Sequence, residues 1–168
     1  LGGPSSSQAE VDAINYALSH NVVVVAASGN SGDNEKEYPS SYPGVISVGA
    51  TGYYDQPTYF STFNGNVILS APGLHICNTG RAQVFACANG TSASSPIVAG
   101  AAAIILSVNT YLTADQVKAI LIASASPAPG KQVGQRDDHY GYGILNVAKA
   151  LQMASTNQVP VLPADLPR

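Results

Sequence analysis

The sequence predicts an α/β fold: part of a doubly wound, mostly parallel sheet flanked by helices, incomplete without an upstream segment. Three observations predict it. A helical pattern over residues 7–19 runs directly into Val22-Val23-Val24-Val25, and a continuous β-branched run marks a strand buried on both faces. A helix that feeds a buried strand is one step of a parallel sheet. The stretch from Ser92 to Leu106 is small and apolar on every side, the pattern of a helix with no solvent face. Third, the buried strand comes almost at the start of the chain, so a strand that should lie beside it is missing. Alone, the chain is expected to expose a strand edge and apolar surface.

The elements follow in order. Ser7-Gln8-Ala9-Glu10 is a capping box, and Val11, Ile14 and Leu18 continue at helical spacing until Asn21 breaks the helix. Ser28 to Asn34 is loop. Val45 to Ala50 and Val67 to Ala71 read as strands, the second ended by Pro72-Gly73. Ile76 and Val84-Phe85 are the arms of a hairpin. Thr113-x-x-Gln116 caps a helix with Val117, Ile120 and Leu121 on its inner face, and Pro127, Pro129 and Gly130 close it. A last helix covers residues 144–154. Val159-Pro160-Val161-Leu162-Pro163 has no period, so residues 1–154 are expected to form the domain and 155–168 a tail or linker.

Composition narrows the function classes. The chain has 168 residues, 45% of them hydrophobic, enough for a sizeable core. Only 10% are charged, which suits a loop-rich secreted protein better than a salt-bridged cytosolic one. A net charge of −3 offers no field for nucleic acid or an acidic membrane surface. No apolar run reaches bilayer length, and a chain starting Leu1-Gly2-Gly3-Pro4 reads as a processed or excised piece. Cys77 and Cys87 cannot make a zinc site unaided, and their spacing is not that of a redox CxxC pair. Two readings stand: buried free thiols, or a disulfide across the hairpin, which implies an oxidising, extracellular compartment.

Two constellations carry chemistry. Gly90-Thr91-Ser92-Ala93-Ser94-Ser95-Pro96 opens the apolar helix, where the dipole and free N–H groups favour developing negative charge at a serine. The plainer reading is a Ser/Thr N-cap with proline in an early turn. Val22 to Asn30 places an asparagine just past the end of a strand, where open α/β sheets bind ligands. Together with Leu1-Gly2-Gly3 ahead, Tyr38-Pro39-Ser40-Ser41-Tyr42-Pro43 and Ser70-Ala71-Pro72-Gly73 between, and Tyr140-Gly141-Tyr142-Gly143-Ile144-Leu145-Asn146 behind, these segments resemble the subtilisin-like serine proteases, the subtilases, in the right order over roughly residues 1–153. A sedolisin-type Gly-Thr-Ser-Ala-Ser is also similar, but sedolisins use Asp as oxyanion donor where this chain has Asn30.

The resemblance implies the C-terminal half of a subtilisin-like catalytic domain and a serine endopeptidase acting on peptides or proteins through an acyl-enzyme. It implies Ser92 as nucleophile and Asn30 as oxyanion donor, with Leu1, Gly2, Gly3, Ala27, Ser28 and Gly29 lining the S1 pocket. Glu37, before Tyr38-Pro39, falls at the base of that pocket and would favour a basic P1 residue, or else belongs to a solvated Glu35-Lys36-Glu37 loop. The family's Asp and His lie upstream of Leu1, so the N-terminal segment of the same domain is the required partner and this chain alone is expected to be inactive. None of His20, His75 and His139 stands in the catalytic His context; His20 and His139 read as surface residues. Ile97 replaces a usual histidine as a packing position. Ile68 stands where a family cation site often has Asp, so no calcium is expected there; no metal ligand and no cofactor is assigned in this chain. Two rivals remain: a pseudoprotease binding module, and a subtilase turned inhibitor or chaperone by cleavage.

Overall fold

The computed structural model describes residues 2–80 and 84–167. Helix α1 (Gln8–Ser19) starts where Ser7 Oγ accepts the Glu10 backbone N–H at 3.2 Å. The other half of the expected capping box is replaced. Tyr42 Oη donates to Glu10 Oε2 at 2.9 Å and accepts the Ser7 N–H at 3.0 Å, so a phenol from a distant loop stands where the carboxylate was expected.

Strands β1 (Val25–Ala27), β2 (Ile46–Thr51) and β3 (Val67–Pro72) form a parallel sheet in that order. Strand β2 is buried along its whole length, as a central parallel strand should be. Strand β1 differs from expectation. It is shorter than the valine run, only half-buried, and Val22 is 48% exposed. The physical reason is its place: β1 has β2 on one side and no strand on the other among the described residues. The opposite edge is closed. Ser70 donates to Gly143 O at 3.0 Å and accepts the Leu145 N–H at 2.8 Å, so residues 143–145 cap β3. Among the described residues the sheet is therefore open at the β1 edge and covered at the β3 edge.

Beyond β3, β4 (Ile76–Thr79) and β5 (Phe85–Ala88) make the antiparallel hairpin, with Cys77 directly opposite Cys87 and the two bonded as a disulfide. Helix α2 (Thr91–Val108) follows and packs on all three strands of the sheet. It spans 18 residues at mean hydropathy 1.6, long and apolar enough by composition to cross a bilayer, contrary to the sequence reading. Its Thr91, Ser94, Val98, Ala101, Ala102 and Ile105 are buried against the rest of the protein.

Helix α2 also corrects the expectation of all-round burial. Ser92, Pro96, Ala99, Gly100, Ala103, Ile104, Ser107 and Val108 are exposed, and they recur at helical spacing as one stripe. A Cβ added to Gly100 would meet nothing within 4 Å. The stripe adjoins the open edge: Val22, Val23 and Val25 face Ala99, Ala102, Ala103 and Leu106 across an apolar cavity of about 290 Å³. The open strand edge and the bare helix face are one feature.

Helix α3 (Ala114–Ser124) carries the full capping box, with Thr113 Oγ1 accepting from Gln116 N and Gln116 Oε1 accepting from Thr113 N. Helix α4 (Val147–Ser155) starts at its Asn146 cap, later than expected. Of the residues read as a tail, Ser155 ends α4, and residues 156–167 have no regular structure but do not hang free: Val159, Leu162 and Leu166 pack on the core, and Tyr142 Oη donates to Asp165 Oδ1 at 2.9 Å.

Lys118 on α3 lies among the core residues at 4% exposure, its Nζ donating to Gly44 O at 3.4 Å. Burial pushes its amine down to about 8, partly opposed by the Asp115 carboxylate. A lowered lysine value means the unfolded chain holds the proton more tightly between about 8 and the ordinary 10.5. Stability should rise with pH across that window, and the charge burial opposes folding in full below it. Lys118→Met should therefore stabilise the fold at pH 7 by up to about 3 kcal/mol, the gain fading as pH approaches 10.5. Thermal unfolding of both forms at several pH values checks this.

Candidate active site

The loop after β1 and the first turn of α2 are tied together by one side chain from each. Asn30 Oδ1 accepts the Thr91 backbone N–H at 2.8 Å and lies 3.0 Å from Thr91 Oγ1. A backbone N–H can only donate, so the atom facing it must be the amide oxygen. The Nδ2 group of Asn30, an exposed residue, has no acceptor among the described residues. Thr91 Oγ1 is also placed to accept the Gly29 N–H at 3.3 Å and to donate to Gly29 O at 3.1 Å. Behind this loop stands Thr62: its N–H donates to Gly29 O at 3.0 Å, its Oγ1 accepts the Ser31 N–H at 3.3 Å, and its carbonyl accepts from Ser28 Oγ at 2.9 Å.

Gly90 precedes the helix at φ 150° and is held by its N–H to Gly73 O at 2.8 Å. A Cβ there would lie 2.9 Å from Ser92 Oγ, 3.5 Å from Asn30 Oδ1 and 3.6 Å from Asn30 Nδ2. The serine hydroxyl and the amide thus converge on a bare Cα, which leaves room for an approaching backbone. Pro96 has no N–H to give the Ser92 carbonyl, so the first turn of α2 lacks that helical bond.

Gly2, Ala27, Gly29, Asn30, Glu37, Thr91 and Ser92 line one cavity of about 210 Å³. Of the residues singled out from sequence, this brings together Ser92, Asn30, Gly2, Ala27, Gly29 and Glu37. Glu37 is half-buried rather than solvated, and a Cβ on Gly29 would come within 2.7 Å of its Cγ. Ser28 does not face the cavity; its side chain is buried and turned to Thr62 O. Gly3 stands behind the lining, exchanging two backbone bonds with Tyr38 at 3.0 and 2.8 Å. Leu1 lies outside the described residues. Thr91 and Thr62 were missed as positioning residues; the Gly-Thr-Ser motif held the signal for Thr91, and nothing local marks Thr62.

No histidine lines the cavity among the described residues. His20 stacks by Tyr16 and His139 by Phe63, each with ring centroids 4.1 Å apart, and His75 lies beside the disulfide. His20 is exposed as expected, while His139 is partly covered by its stacking partner. The arrangement holds a hydroxyl and an amide donor at a helix N-terminus, with no imidazole among the described residues to take the hydroxyl proton.

The pattern of the Subtilase family matches residues 1–143. Subtilisin DY from Bacillus licheniformis is 39% identical over 156 residues, covering 90% of this chain and 55% of its own length. Subtilisin Savinase from Lederbergia lenta is 35% identical over 150 residues, 89% of this chain and 54% of its own. A protease from Pseudoalteromonas arctica has a similar solved structure, with TM-score 0.84 and 30% identity over 92% of this chain and half of that one. The prenylagaramide maturation protease PagA superposes with TM-score 0.79 at 29% identity, covering 89% of this chain and 57% of that one. The chain thus spans about half the length of these relatives.

Thr91→Val keeps the shape of the side chain and removes the hydroxyl, leaving the Gly29 N–H unpaired. The expected loss is about 1–3 kcal/mol of stability, read by chemical denaturation. A neutral result would show that this hydroxyl does not hold the loop.

Proposed function

The chain belongs to the subtilase family, and from that premise we propose that it is the nucleophile-bearing half of a serine endopeptidase, active only with an upstream segment that supplies Asp and His. The observation that carries this reading is the shared cavity of Ser92 Oγ and the Asn30 amide at the start of α2. In the proposed reaction Ser92 Oγ attacks the scissile carbonyl carbon as the upstream imidazole takes its proton. The oxyanion is stabilised by Asn30 Nδ2 and the Ser92 backbone N–H. The imidazolium then protonates the leaving amine, and water, activated by the same imidazole, hydrolyses the acyl-enzyme. The Thr91 bond to Asn30 aims the donor before substrate arrives, so no reorganisation is needed when charge develops.

The open β1 edge and the exposed stripe of α2 support the upstream segment as partner. A second apolar cavity, about 330 Å³ and lined by Ile76, Ala88, Ser92, Ala93, Pro96 and Ile97 among others, lies on the stripe at Ser92 itself. A segment seated there would bring a base to the nucleophile and cover what the chain leaves bare. The disulfide supports an extracellular setting.

Co-expression with the upstream segment should yield hydrolysis of peptide anilides that neither piece shows alone. In the complex, Asn30→Leu should lower kcat by about 10²–10³-fold with little change in KM, a range known from subtilisin itself rather than derived from this geometry. Unchanged kcat would remove Asn30 from the oxyanion hole.

Glu37 sets the proposed specificity. Its carboxylate lines the cavity with Gly2, Ala27 and Gly29, which support it as the base of S1. In a partly wet pocket, attraction to a P1 Lys or Arg is worth roughly 1–2 kcal/mol, near tenfold in kcat/KM. A scan of P1 residues on wild type and Glu37→Gln should show the Lys/Leu ratio falling in the variant. A ratio that does not move places the carboxylate outside the pocket.

A further inference from the structure

We propose that the hairpin leading into Ser92 holds a thiol-gated metal site, with His75, Cys77 and Cys87 as ligands for Zn²⁺ once the disulfide is reduced. The donor atoms of the three residues lie within 4.8 Å of one another, and all three residues are exposed. The ladder brings the two cysteines together, and a turn before it adds the histidine. Cys77 and Cys87 are paired across β4 and β5, and His75 stands just before β4 at φ 55°, a left-handed turn that brings its ring nitrogen within reach of both sulfurs.

The site does not depend on the S–S bond for its shape. Backbone pairing from Ile76 to Thr79 against Phe85 to Ala88 frames it, and His75 N donates to Asn89 Oδ1 at 2.6 Å. Breaking the bond leaves both sulfurs opposite each other beside the imidazole. Tetrahedral zinc with Zn–S near ~2.3 Å and Zn–N near ~2.0 Å needs ligand atoms roughly 3.5–3.8 Å apart. The sulfurs have only to part after reduction, and the imidazole to close by about an ångström. Two thiolates, one imidazole and an open fourth position for water form a donor set suited to zinc.

The gate is thiol–disulfide exchange with an external dithiol. A thiolate of the reductant attacks one cysteine sulfur and the Cys77–Cys87 bond breaks. A mixed disulfide forms, and the reductant's second thiol resolves it, leaving two cysteine thiols and an oxidised dithiol. Both cysteines are exposed and so open to attack. Metal binding then displaces the two thiol protons.

The test uses the intact protease, oxidised or reduced with a dithiol and desalted without oxygen, titrated with Co²⁺ as probe and then Zn²⁺. Reduced protein should bind one Co²⁺ per chain with a thiolate-to-cobalt charge-transfer band that Zn²⁺ abolishes; oxidised protein should show no such band. His75→Ala, which keeps the cysteines, should weaken binding by about tenfold or more. Resistance of the native disulfide to dithiol, absence of the band after reduction, or undiminished affinity in His75→Ala would each overturn the proposal.

Discussion

The seating of α2 on the sheet is the constraint from which the rest follows. Ala101, Ala102 and Val98 are small enough to bring the helix against all three strands, and Ile105 fills the space beyond them. That contact fixes the height of the helix start over the strand ends. Gly90 is then held to Gly73 beyond β3, and Thr91 to the loop beyond β1. Ser92, one residue further on, has little freedom left. Ser92 is positioned by core packing, with no side-chain hydrogen bond of its own among the described residues.

The same helix carries a large uncovered face beside the β1 edge. Its buried face is complete, and its opposite face carries alanine, glycine, proline and isoleucine in the open. The stripe runs from Ser92 along the helix, and the bare edge of β1 lies beside it. Apolar surface of this kind is costly to leave in water, and the chain matches only about half the length of its relatives. A partner that covered the stripe would reach Ser92 at one end of it. In this account, completing the fold and completing the catalytic group are one event.

Much of this was legible in the sequence, because the relevant signals are local. The Thr113 capping box, the strands at Ile46 and Val67, and the serine opening an apolar helix each lie within a short window. What was missed depends on partners far away in sequence. Nothing near Ser7 announces that Tyr42 will take over the Glu10 side of its cap. Valine density at residues 22–25 reports β-propensity, but burial there depends on a neighbouring strand. Lys118 sits inside an otherwise apolar face because Gly44 offers it a carbonyl. Ser28 belongs to a motif associated with a pocket wall, yet its side chain turns to Thr62, more than thirty residues on in the chain.

The most direct test of the central claim is covalent labelling of Ser92 by a fluorophosphonate, located by peptide mass spectrometry. The account predicts no adduct on this chain alone and a stoichiometric one at Ser92 when the upstream segment is bound, lost if that segment's histidine is replaced. Robust labelling of the isolated chain, or an adduct in the complex at any other residue, would contradict it.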